Sequence, residues 1–277
     1  YIYMIFIQGD TITTYISTTQ YFTSEYYDKY IKNFTKSKDI ISKNEPKISY
    51  QSEPLIYITK IEYLNEFYTK IIPSLNTKFV LITHYGAAES GKYNKILNHP
   101  LLIKWYGQNM SIISNKSEGI PLGLENQYWG RTNIEIIKQY SNNSKNKLLY
   151  INFSLKTNPN RPIIMSNLLQ KGFLENKKLP WDQYIEDLSN YKFCISPKGS
   201  GIDCHRHWEC LYLGVIPIVE KSIHMSFFDD LPILFVDNYD IISIEYLNQV
   251  YSEFILKKFN LEKLDTYYWD KKIKEHF

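Results

Sequence analysis

The chain of 277 residues carries 32 basic and 29 acidic side chains, for a net charge of +3. That length holds one large domain or two modest ones, and a near-balanced charge with no long basic block excludes nucleic acid as a primary partner, because a phosphate backbone demands clustered Lys and Arg. The three cysteines, Cys194, Cys204 and Cys210, lack zinc-finger spacing and are odd in number, so reduced thiols in a reduced compartment are expected.

Tyr1-Ile2-Tyr3-Met4-Ile5-Phe6-Ile7 is an apolar run too short for a membrane helix. It also lacks the basic start and small-residue cleavage site of a signal peptide, so membrane association is expected only if an anchor precedes Tyr1. Residues 11–16 alternate in polarity, and 26–34 repeat with a helical period. Residues 55–58 read as a short strand. Lys78-Phe79-Val80-Leu81-Ile82-Thr83-His84 is a clearer buried strand that delivers His84 into a loop at its carboxyl end. Residues 101–106 suit a helix or a strand, and 119–123 form a strand with turn residues at both ends. These elements define a first α/β domain over residues 1–145.

The polar stretch Ser141-Asn142-Asn143-Ser144-Lys145-Asn146-Lys147 has the composition of a linker. A second α/β domain over 146–260 then opens with the strand Leu148-Leu149-Tyr150-Ile151-Asn152-Phe153. A loop follows, and Arg161-Pro162 starts a helix that runs toward Lys171-Gly172. Arg161 is either a second phosphate ligand or a surface arginine. Residues 261–277 place Leu264, Tyr267, Tyr268 and Ile273 among Lys and Glu. They form an expected amphipathic helix packed on the protein, with the first domain as its candidate partner.

Residues 193–209 concentrate the chemistry. Phe193-Cys194-Ile195 ends an apolar strand, Ser196-Pro197-Lys198-Gly199-Ser200-Gly201 is a turn, and a helix is expected from Asp203 with Arg206 and Glu209 in its first turns. Backbone N–H groups at a helix start lack intrahelical partners and lie at the positive end of the helix dipole, so they favour a phosphate. Lys198 and Arg206 add positive charge. Gly199 and Gly201 leave the backbone open to a ligand and free to take positive φ. Glu209, three residues after Arg206, shares its face and suits sugar hydroxyls. The same residues also fit a solvent-facing helix pair after an ordinary glycine turn. Gly214 fits a helix C-cap, and Val215-Ile216-Pro217-Ile218-Val219 reads as the next buried parallel strand. His205 and His207 are two apart and point different ways on a helix, so no metal site is expected there.

The run from Cys194 to Val219 resembles the C-terminal donor-binding motif of exostosin-like glycosyltransferases, a group with viral and ribitol-xylosyltransferase-type members. That motif joins a Ser-Pro-Lys/Arg-Gly turn, an Asp-x-x-Arg-x-x-Glu helix and Leu-Gly-x-Ile-Pro-Ile-Val, and each element is present here. A looser likeness extends through Tyr150 to Ser154, Arg161, and Ile120 to Asn126. The resemblance implies two Rossmann-like α/β domains facing a cleft, the glycosyltransferase-B type. It implies inverting transfer from a nucleotide sugar to a glycan or glycoprotein acceptor, with no metal or other cofactor. Ser196, Lys198, Gly199, Gly201, Asp203, Arg206, Glu209, Asn152 and Arg161 would then bind the donor. The general base would come from the first domain, where His84 is the first candidate and Glu89 and Glu125 follow. The alternative is a non-catalytic sugar- or nucleotide-binding relative of the same fold. No Gly-x-x-x-x-Gly-Lys-Ser/Thr loop is present to support a P-loop kinase.

Overall fold

The computed structural model describes residues 55–84, 86–125 and 132–276. The patterns expected at 1–7, 11–16 and 26–34 lie outside the described residues, as do Tyr85 and Asn126. What is described is mixed α/β, with two four-stranded sheets whose paired strands are all parallel.

The first sheet orders β1 (Leu55–Thr59), β2 (Phe79–Thr83), β3 (Leu102–Gly107) and β4 (Ser117–Gly119) side by side in chain order. A run of helical turns from Ile61 to Ser74 links β1 to β2, and a 3-10 segment, Ser90–Ile96, lies between β2 and β3. Residues 101–106, open between helix and strand in the sequence, are mostly β3. Strand periodicity then divides the side chains. Phe79, Leu81, Leu102 and Trp105 pack with Ile61, Leu64, Phe67 and Ile72 on one face, while Val80, Ile82 and Tyr106 turn to the other.

The second sheet orders β5 (Lys147–Tyr150), β6 (Tyr191–Ile195), β7 (Ile216–Glu220) and β8 (Leu234–Val236). Helix α1 (Ile134–Tyr140) precedes it. Helices α2 (Arg161–Gln170) and α3 (Trp181–Leu188) connect β5 to β6, α4 (His205–Tyr212) connects β6 to β7, and α5 (Ile223–Ser226) connects β7 to β8. Phe193, Ile195, Ile216 and Ile218 pack with Ile164 and Leu168 of α2 and with Leu247 and Val250 of α6 (Ile244–Phe254). Tyr150, Cys194 and Val219 point the other way, into a cluster with Ile185 and Leu188 of α3 and Trp208 and Leu211 of α4. Val80, Ile82 and Tyr106 belong to that same cluster, so one apolar core joins the two sheets. Burying each of these large side chains stabilises the fold by about 1.5–3 kcal/mol.

Gly214 follows α4 at φ 67°, a left-handed position that glycine takes without steric cost. The polar stretch 141–147 is held in place: Asn143 Nδ2 donates to Ser189 Oγ at 2.8 Å, and Lys145 Nζ to Ser189 O at 2.7 Å. Helix α7 (Thr266–Lys274) buries Trp269 and Ile273 in the shared core. It lies against the first sheet, where Lys272 Nζ pairs with Glu118 at 2.7 Å and Tyr106 Oη sits 2.8 Å from His276 Nε2. Tyr267, grouped with the apolar residues of this segment in the sequence, is exposed, and Trp269 takes the buried position. Among the described residues no helix is long and apolar enough to cross a membrane.

Candidate functional site at the carboxyl ends of the strands

In open parallel sheets, ligands bind beyond the carboxyl ends of the strands. Ser196 leaves β6 there, and its N–H donates to Ile218 O at 3.0 Å, extending the β6–β7 ladder by one residue. Pro197 has no N–H, and the chain turns. Arg161 shapes that turn from α2: Nε donates to Lys198 O at 2.9 Å, Nη2 to Pro197 O at 2.6 Å and Nη1 to Ser154 O at 3.0 Å. The guanidinium is therefore committed to backbone carbonyls of the protein. Arg161 is buried and is therefore not the surface residue of the sequence reading, and its charge is kept in the interior by the acceptors around it.

The two glycines are also needed for a different reason from the one expected. Neither Gly199 nor Gly201 takes positive φ. A Cβ on Gly199 would stand 3.2 Å from Arg161 Nη2, and one on Gly201 would stand 2.7 Å from Asn109 Nδ2. The turn packs closely on the protein itself: a side chain at Gly201 would force Asn109 to move, and one at Gly199 would press on Arg161.

Asp203 does not open the helix. Cys204 is the cap, α4 begins at His205, and the Asp203 carboxylate is buried. Oδ2 accepts from Leu122 N–H at 2.7 Å and lies 3.2 Å from His224 Nε2. Oδ1 accepts from Trp208 Nε1 at 2.8 Å and lies 3.2 Å from His207 Nδ1. Burial pushes this carboxyl up, but the hydrogen bonds with His207 and His224 outweigh it and hold the pKa below the usual carboxylate range. A carboxylate with this many internal donors anchors the segments around it, and its oxygens are turned to protein groups.

Arg206 and Glu209 meet through a third residue. Arg206 donates from Nε to Tyr184 Oη at 3.2 Å and from Nη1 to the Asn152 carbonyl, and it lies 5.3 Å from the Tyr184 ring. Tyr184 Oη donates to Glu209 Oε2 at 2.8 Å, and Trp181 Nε1 donates to Oε1 at 3.1 Å. Asn152 turns its own amide to Asn176 O at 2.9 Å. None of these three residues lines the cleft beside the turn.

That cleft, about 200 Å3, lies between the two halves of the chain, with Ser196, Lys198, His207 and Glu220 on one side and Glu89 and Ser111 on the other. Ser196 Oγ is buried and has no hydrogen-bond partner among the described residues. Lys198 is half-exposed, with Nζ 3.9 Å from Glu220 Oε2. The arrangement offers an anion two lysines, Lys198 and the Asp237-paired Lys221, and one buried hydroxyl, with carboxylates opposite and beside them. Glu89 is the one proposed base that reaches this cleft. His84 is buried, Nε2 lies 3.0 Å from Pro121 O, and burial lowers its pKa to about 4. Glu125 is half-buried and outside the cleft. Sequence reasoning missed Ser111 and Glu220, although Glu220 ends β7 and that position is the available signal. A larger cavity of about 560 Å3 runs along α7 beside Tyr267 and Lys271, away from every motif residue.

Among the described residues, no group of three or more His, Cys, Asp or Glu side chains has a geometry that would hold a metal ion. Compared with known proteins, the sequence matches no family model and no curated protein.

Proposed function

We propose that the protein is a glycosyltransferase that moves a sugar from a nucleotide-diphosphate sugar to a hydroxyl of a glycan or glycoconjugate, its two parallel sheets serving as the Rossmann-like halves of a glycosyltransferase-B arrangement. The observation that carries this reading is the cleft itself, in which the Ser196-Pro197-Lys198 turn of one half faces Glu89 of the other. A buried hydroxyl without a partner is costly in an interior, and a phosphate oxygen would satisfy Ser196 Oγ. Lys198 would meet the charge that grows on the departing diphosphate.

In the proposed step Glu89 takes the proton of the acceptor hydroxyl, whose oxygen attacks the anomeric carbon. The bond from that carbon to the diphosphate oxygen breaks, its electron pair leaves with the nucleotide, and the anomeric configuration inverts. His84 is replaced as base, because a buried imidazole bonded to a carbonyl does not meet the substrate. The same burial favours a second reading, a sugar-nucleotide-binding protein without turnover, which differs from the first only in the work assigned to Glu89.

Calorimetric titration with UDP, GDP and CMP separates these readings from a protein with no such ligand. Binding of UDP or GDP that weakens at least tenfold in Lys198→Ala supports a diphosphate at this turn, with CMP, a monophosphate, as the contrast. Binding unchanged by that substitution removes it from the cleft.

A further inference from the structure

His224, on α5, sits wholly buried between the two halves. Its Nδ1 accepts the Met110 N–H at 3.1 Å, and its Nε2 lies 3.2 Å from Asp203 Oδ2. A ring nitrogen that accepts an N–H carries no proton, so the proton of the neutral ring is on Nε2 and points at the carboxylate. Phe228, 5.3 Å away and edge-on, walls one side of the ring.

Both ends of this bridge continue to the cleft. On the Met110 side, Ser90 Oγ donates to Met110 Sδ at 3.2 Å and accepts Ser111 N–H at 2.8 Å, and Ser111 Oγ accepts Gly91 N–H at 2.8 Å. Glu89 is the next residue along that strip. On the Asp203 side, His207 lies 3.2 Å from Oδ1, and its Nε2 is 3.0 Å from Ser196 O. A continuous line of polar contacts therefore runs from the segment bearing Glu89, through His224, to the turn bearing Ser196.

We infer that His224, carried by α5 on the second wall, is a positioning residue whose Nδ1 contact with the Met110 N–H clasps the two walls of the cleft and sets the distance between Glu89 and the Ser196–Lys198 turn, the Asp203 contact only orienting the ring. The inference rests on the proposed transferase reading only for the identity of the cleft's ligand.

Two substitutions split the bridge. In His224→Asn the amide oxygen stands near the place of Nδ1 and keeps the Met110 contact while losing Asp203. In His224→Gln the amide nitrogen stands near the place of Nε2 and keeps Asp203 while releasing Met110. Amide hydrogen exchange of the Met110 segment, in the full chain without ligand, and the affinity for UDP, GDP and CMP are then compared. The clasp predicts near-wild-type exchange and affinity in His224→Asn, and about tenfold faster exchange with about tenfold weaker nucleotide binding in His224→Gln. A role in filling space alone predicts the reverse order, because Asn removes more volume, and that order or equal loss in both would overturn the inference. Ring 15N shifts of His224 in the unaltered protein give a test that needs no variant: a protonated Nδ1 would also overturn it. If no nucleotide binds the wild type, the transferase reading fails, while the exchange order still decides the clasp.

Discussion

Asp203 Oδ2 accepts the Leu122 N–H at 2.7 Å, and Asp203 N–H donates to Asn109 Oδ1 at 2.9 Å, so the residue before the α4 cap is bound to the first half of the chain at two points. An aspartate positioned in the sequence as a ligand for the donor instead holds the two walls of the cleft together.

Asp203→Asn tests that anchor. The new amide turns at least one N–H toward groups that are themselves donors, and the charge that held them is gone. A loss of about 2–4 kcal/mol is expected from leaving buried donors unmatched. Urea denaturation reads it directly, with a fall in midpoint at an unchanged slope.

Gly201→Ala should cost about 1–3 kcal/mol, because the added methyl meets the Asn109 side chain at 2.7 Å. Asn109 cannot easily yield: it holds Gly86 O at 2.9 Å and already sits at φ 53°. Gly172→Ala is a contrast in kind, since φ 84° strains any side chain there while no neighbour lies within 4 Å.

Stability should fall as pH drops from about 6.5 toward 4. The His84 pKa is lowered by burial from 6.5 to about 4 in the fold, so within that window the unfolded chain binds the proton and the folded one does not. The contribution is full above 6.5 and is lost as pH falls toward the folded value, on the order of 3 kcal/mol in all. His84→Gln keeps a donor for Pro121 O but does not titrate, and its denaturation midpoint should be flatter across the window. An equal slope in that variant would assign the pH dependence elsewhere.

Arg161→Lys should loosen the turn, because one ammonium cannot reproduce the guanidinium's bonds to Lys198 O, Pro197 O and Ser154 O. About 2–4 kcal/mol of stability and the exchange protection of residues 196–204 should both fall. Lys198→Ala, at a half-exposed position, should leave stability within about 0.5 kcal/mol.

The parallel strands were legible because buried β-branched runs such as Val80-Leu81-Ile82 and Ile216-Pro217-Ile218-Val219 carry their signal locally. The turn after Ile195 was legible for a similar reason, as Ser196-Pro197-Lys198-Gly199 stops a strand by its own chemistry. What each polar side chain would touch was not. Arg161, Arg206 and Glu209 have the residue types of a ligand site, yet their partners are Lys198 O, Tyr184 and Trp181, fixed by packing between distant segments. His224 gave no signal at all, since its role arises only where Met110 and Asp203, 93 residues apart in sequence, approach the same ring.

The most direct test is transfer itself. The full chain is incubated with UDP-, GDP- and CMP-sugars and a panel of glycan acceptors, and mass spectrometry follows the acceptor while nucleotide affinity is measured in parallel. The cleft as described predicts a one-sugar increase on an acceptor with one donor class, reduced about 100-fold or more in Glu89→Gln with nucleotide affinity retained. Transfer at equal rates in Glu89→Gln, or bound nucleotide with no transfer from any donor, would contradict it.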